Sequence, residues 1–108
     1  ALRLLMARLK LNPSPTFKAD VMIPVPGDKP APVKFTFKHR TKEQASEFVS
    51  EEEREIDAAA VMEMAEGWDL EDDFTAENVG RLLENYIGAA AAIFITYIRE
   101  LRGAREKN

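Results

Sequence analysis

The stretch "TFKADVMIPVPGDKPAPVKFTFKHRTKEQ", residues 16–44, changes its period partway along, and that change decides the fold. Phe17, Ala19, Val21, Ile23 and Val25 recur at every second position, as do Val33, Phe35 and Phe37. Period two places each set on one face of a strand. The intervening "PGDKPAP", residues 26–32, with Gly27 and three prolines, continues neither strand and implies a hairpin closed by a mobile loop. Pro24 has no amide hydrogen, so the first strand is expected to be an edge, or to bulge, at that point. Beyond Arg40 the pattern switches. Thr41 with Gln44 three residues on forms a capping box, which announces a helix.

Two strands are marginal in water, so the inner face of this hairpin needs helices to cover it. Ala45, Phe48 and Val49, then Ile56, Ala60, Val61, Met64 and Ala65, follow helical spacing. Between the two sets "SEEERE", residues 50–55, has no apolar anchor. The helix therefore either crosses solvent there or breaks, with Ser50 as a new cap; the break is the favoured reading. Gly67 is expected to end it as a left-handed cap. Thr75 is the next cap, after which Val79, Leu82, Leu83, Tyr86 and Ile87 repeat helically, Gly88 interrupts, and Ala90 to Leu101 repeat again. Arg99, Arg102 and Arg105 then suit the negative end of a helix dipole, and the terminus is expected to fray. The fold class is α+β, an N-terminal β-hairpin packed on a C-terminal bundle of three to four helices.

The chain of 108 residues fits one domain, residues 16–108, preceded by an N-terminal arm of residues 1–15. Met6 opens "MARLKLNPSPTF", so Ala1 to Leu5 read either as an addition ahead of the natural start or as part of a longer native chain. No cysteine is present, which excludes disulfides and thiolate chemistry. The longest uncharged run, Tyr86 to Ile98, has 13 residues; a bilayer needs about 20. Charge is segregated: +6 over residues 1–40, −12 over 41–77 and +2 over 78–108. An acidic middle repels phosphate, so neither nucleic acid nor membrane is the expected partner.

Catalytic and metal readings are weak. With Asp69 at position 1 of a calcium loop, Phe74 stands where glycine must turn the chain and Gly80 where a bidentate Glu must close the cage. His39 is the sole histidine, which rules out a multi-histidine zinc site. No phosphate loop or other cofactor motif occurs, so no enzyme activity, metal or cofactor is expected. Phe35 and Phe37, interleaved with cations in "KFTFKHR", faintly suggest a base-stacking strand but fit the core better. Met62 and Met64 likewise suit core filling. In the acidic turn "EGWDLEDDF", residues 66–74, Trp68, Leu70 and Phe74 either plug the core or present a partner-binding hot spot. By residue chemistry this is a protein that works by binding another protein.

Four blocks occur in order: "FKHRTKEQ" (37–44), "EGWDL" (66–70), "LLENYIGAA" (82–90) and "IFITYIRELRGAR" (93–105). Together they resemble the tail assembly chaperones of long-tailed phages and prophages, over about residues 34–105. Ile87 departs from the family pattern, which has proline before the glycine. The resemblance implies a protein of the host bacterial cytoplasm, absent from the mature virion, that keeps the tape-measure protein soluble and helps recruit tail-tube subunits. Self-association is compatible with this, although no heptad seam marks an interface. The alternative is a structural tail or head-completion protein retained in the virion.

Overall fold

The structure is a computed structural model, and it describes residues 8–51 and 55–103. The hairpin is present: β1 (Thr16–Ile23) and β2 (Ala31–Lys38) pair antiparallel, with Val21 opposite Val33 and Phe17 opposite Phe37. β1 stops one residue before Pro24, so Val25 lies outside the strand. β2 begins earlier than expected and includes Ala31 and Pro32. Proline is tolerated there because the third strand does not extend that far, which makes β2 itself an edge at Pro32. The connecting turn uses Gly27 at φ 76° and closes with the Asp28 amide donating to the Val25 carbonyl at 3.0 Å.

The capping box forms as read: the Thr41 amide donates to Gln44 Oε1 at 2.9 Å and the Gln44 amide to Thr41 Oγ1 at 3.1 Å. It starts α1 (Lys42–Glu51). The break is also present, since residues 55–57 are not helical, but Ser50 sits inside α1 and the new cap is Asp57. Its carboxylate accepts from the Ala60 amide at 3.0 Å and opens α2 (Ala58–Met64). Gly67 does not end that helix. The cap is Ala65, and Ala65–Trp68 form a short strand, β3, on the far side of β2.

β3 was not readable as a strand, and its bulge explains much of its use. Phe37 faces Ala65 and Thr36 faces Gly67, which leaves Glu66 as an extra, unpaired residue. On a regular strand Ala65 and Trp68 would point to opposite faces; the bulge brings the buried Ala65 and the half-buried Trp68 to the same side. Gly67 carries no positive φ, because its partner is the sheet and not a helix end.

Thr75 caps α3 (Ala76–Asn85), accepting from the Asn78 amide at 3.1 Å. α3 ends before Tyr86, so Tyr86 and Ile87 fall in the turn instead of extending its apolar face, and Ile87 is 92% exposed. The turn forms without the proline of the family pattern. Gly88 carries the constraint: a Cβ there would sit 2.8 Å from Pro24 Cγ, so only glycine lets the turn approach the hairpin. We expect Gly88→Ala to cost about 1–2 kcal/mol in urea unfolding, and the cost to shrink in a Pro24→Ala background. An unchanged midpoint for Gly88→Ala alone would show that this approach is not close.

α4 (Ala89–Arg102) ends at Gly103 with φ 71°, and Arg99 and Arg102 occupy its last turn. Arg105 and the expected fraying lie outside the described residues. α4 crosses the inner face of the sheet, where Ile93 and Tyr97 are completely buried with Val21, Phe35, Phe37, Val61, Met64 and Val79. Met62 packs against this core without being fully buried. The architecture is α+β, a three-stranded antiparallel sheet of order β1-β2-β3 with four helices.

Candidate protein-docking surface

Trp68, Leu70 and Phe74 are placed differently from one another. The Trp68 ring meets Phe74 edge-on at 5.1 Å and Phe35 edge-on at 5.9 Å, and its Nε1 donates to the Asp72 carbonyl at 2.7 Å. Phe74 also meets Phe35, at 6.5 Å. Both rings pack against the core, and Leu70 does not. Leu70 is 38% exposed and turns toward solvent. The acidic turn that carries it has structural duties: Asp69 Oδ1 accepts from the Lys34 amide at 2.9 Å, and the Asp73 carbonyl accepts from Asn78 Nδ2 at 2.8 Å. Among the described residues, no three His, Asp or Glu side chains converge as a metal site would require.

Trp68 and Leu70 lie on a groove of about 360 Å³ between the turn end of the hairpin and α3. Ile23, Val25, Ala31 and Val33 form the hairpin wall, and Leu82 of α3 with Tyr86 just past its end forms the opposite wall. Phe74 is not part of the lining; it supports Trp68 from behind. Periodicity alone assigned Tyr86 to a buried helical face, yet it is 36% exposed and lines this groove beside exposed Ile87. Arg81, fixed by its 3.1 Å bond to Asn78 Oδ1, supplies a cation at the rim, and Asp72 an anion. The groove thus pairs an apolar floor with mixed charge at its edge, which suits an amphipathic segment.

At the other end of β2 the structure reveals a residue to which sequence reasoning gave no role. Arg40 donates to the Glu63 carbonyl at 3.0 Å and to the Tyr97 hydroxyl at 2.8 Å, and its guanidinium lies 4.2 Å from the Phe48 ring centroid. It therefore joins the last turn of α2, the middle of α4 and the single buried residue of α1. Tyr97 in turn donates to the Lys38 carbonyl at 2.7 Å, and Lys38 Nζ donates to the Met62 carbonyl at 3.2 Å. The available signal was the position of Arg40 inside the "FKHRTKEQ" block; its partners, distant in sequence, were not inferable. His39 beside it is exposed, and its backbone amide donates to the Pro15 carbonyl at 2.8 Å.

Burial pushes the Tyr97 phenol up from its ordinary value near 10, and the hydrogen bond and charge of Arg40 offset part of that rise. A raised folded-state value means that the unfolded chain loses its proton first. This contribution to stability is therefore complete below about pH 10 and is lost as the pH climbs through the folded value. Tyr97→Phe should cost about 1–2 kcal/mol near neutrality, and its urea midpoint should fall less than that of wild type between pH 9 and pH 11. Parallel pH profiles would show that the phenol does not titrate this way.

Comparison with curated proteins and with solved structures returns no match. A family model described as phage tail assembly chaperone matches residues 6–108, which includes the hairpin, both ends of the Arg40 cluster and the Trp68 groove. By that match the chain belongs to the phage tail assembly chaperone family.

Proposed function

We propose that the chain is a non-enzymatic chaperone that holds an amphipathic helix of the tape-measure protein in the groove between the hairpin and α3. Shielding that long apolar chain keeps it soluble until tail-tube subunits are recruited. The protein then works in the host bacterial cytoplasm and leaves before the particle is complete. The observation that carries this reading is a pair of large apolar side chains, Leu70 and Tyr86, left partly exposed on one groove of a chain whose other aromatic residues pack inward. Family membership supports a role in tail assembly. The −12 charge of residues 41–77 supports solubility while apolar surface stays available.

Co-expression tests the reading. A tape-measure fragment should move into the soluble fraction with the wild-type protein and remain insoluble with Leu70→Asp, whose folded midpoint should match wild type. Mass spectrometry of purified particles should find no copy of the chain; stoichiometric copies would identify a structural component instead.

A further inference from the structure

A second groove, of about 660 Å³, lies between α1 and α4, with Arg40 in its lining. Ala45 and Val49 form one apolar row on α1, four residues apart; Ile98 and Leu101 form another on α4, three residues apart. Two such rows, each one turn long, leave the furrow into which a third helix packs its own row of side chains. Among the described residues, none fills it. Phe48 is the only buried residue of α1, Ala45 and Val49 are not packed against the core, and Val49 is 38% exposed.

The charge at this groove is one-sided. Lys42 and Arg102 stand at its rim with His39, and Arg40 lies at its end, committed to Tyr97 and the Glu63 carbonyl. No Asp or Glu is among the described residues lining it, in a chain with 19 acidic residues against 15 basic. Three acidic residues of this region, Glu47, Glu51 and Glu63, line the pocket on the other side of α1, together with Lys38, His39 and Arg40. The pocket on one side of α1 thus mixes both signs, and among the described residues the charged side chains lining the apolar furrow on the other are all basic.

We infer that this furrow is a second docking site, for an amphipathic helix of a partner protein that carries apolar residues one turn apart flanked by Asp or Glu. Charge complementarity selects that partner and disfavours a basic one. A second copy of this chain is the poorer fit, because α2, α3 and α4 already bury their main apolar faces in the core. The site is independent of the groove at Leu70, so the chaperone has two surfaces of different charge and can hold two different segments at once.

The probes are two fluorescein-labelled 18-residue helical peptides with the same Leu/Ala stripe, one flanked by Glu and the other by Lys, followed by anisotropy. The Glu peptide should bind at least tenfold more tightly and should weaken as salt is raised. The double variant Lys42→Glu/Arg102→Glu, at two exposed positions, should weaken the Glu peptide roughly tenfold, with unchanged circular dichroism and urea midpoint. Leu70→Asp should leave this binding intact, which separates the outcome from that of the tape-measure test. Equal binding of the two peptides, no binding of the Glu peptide, or full affinity in the double variant would overturn the inference. So would a dimer in sedimentation velocity that the double variant dissolves, since the furrow would then belong to a second copy.

Discussion

Arg40→Ala is expected to lower the unfolding free energy by about 3 kcal/mol in urea titration. The guanidinium makes two hydrogen bonds, to the Glu63 carbonyl and the Tyr97 hydroxyl, and stacks on Phe48. Truncation leaves the α2 terminal carbonyl without this donor and removes the cation from the Phe48 face. The losses at the buried Phe48 ring and at the Tyr97 hydroxyl are the costly ones, because the Glu63 carbonyl is exposed and can turn to water. Arg40→Lys should recover less than half of the loss, because one ammonium cannot serve two divergent acceptors and lie flat on a ring. The damage should also be local. α1 is tied to the body through Phe48, so hydrogen exchange at residues 42–51 should accelerate more than exchange in β1 and β2. Wild-type stability together with wild-type exchange in α1 would remove Arg40 from the centre of the fold.

Trp68→Ala is expected to cost a similar amount, about 3 kcal/mol, and for a different reason. The indole fills the space between Phe35 and Phe74 and satisfies the Asp72 carbonyl, so truncation opens a cavity and breaks the acidic turn at once. Trp68→Phe should retain most of the packing and lose about 1 kcal/mol with the hydrogen bond. These values belong to the plug reading of the tryptophan. The hot-spot reading predicts a stable Trp68→Ala protein that fails only in partner binding. The geometry separates these neighbours, with Trp68 and Phe74 packed against the core and Leu70 exposed.

The parts of this fold that were legible from residues alone are those governed by local chemistry. Strict alternation over eight residues of β1 and β2 has one reading, and so do the Thr41–Gln44 capping box and the Thr75 cap. The break between α1 and α2 was legible from the lack of apolar anchors, but its cap was misplaced. Ser50 and Asp57 are both competent caps, and only tertiary packing of Val61 and Met64 chooses between them. β3 was hidden because four residues with a bulge show no period, and because its partner strand is about thirty residues away in sequence. Gly67 then looked like a helix stop when its actual neighbour was Thr36.

The candidate site was legible to the extent that it resides in residue type. A lone tryptophan with Leu70 and Phe74 in a polar turn signalled apolar surface, but whether each faced inward depended on the parity set by the Glu66 bulge. Tyr86 was missed because its spacing continues that of Leu82 and Leu83, while the helix stops at Asn85 under the constraint of the Gly88 contact with Pro24. Arg40 was missed because its partners, Glu63 and Tyr97, lie 23 and 57 residues away. No window of sequence joins them.

Trp68 is the only tryptophan in the chain and lines the groove beside Leu70, so its fluorescence reports directly on occupancy. Titration with a tryptophan-free helical fragment of the tape-measure protein should shift Trp68 emission to the blue and saturate, and Leu70→Asp should abolish the shift at an unchanged urea midpoint. A fragment that binds by anisotropy, leaves Trp68 emission unmoved and holds equally well to Leu70→Asp would contradict docking at this groove.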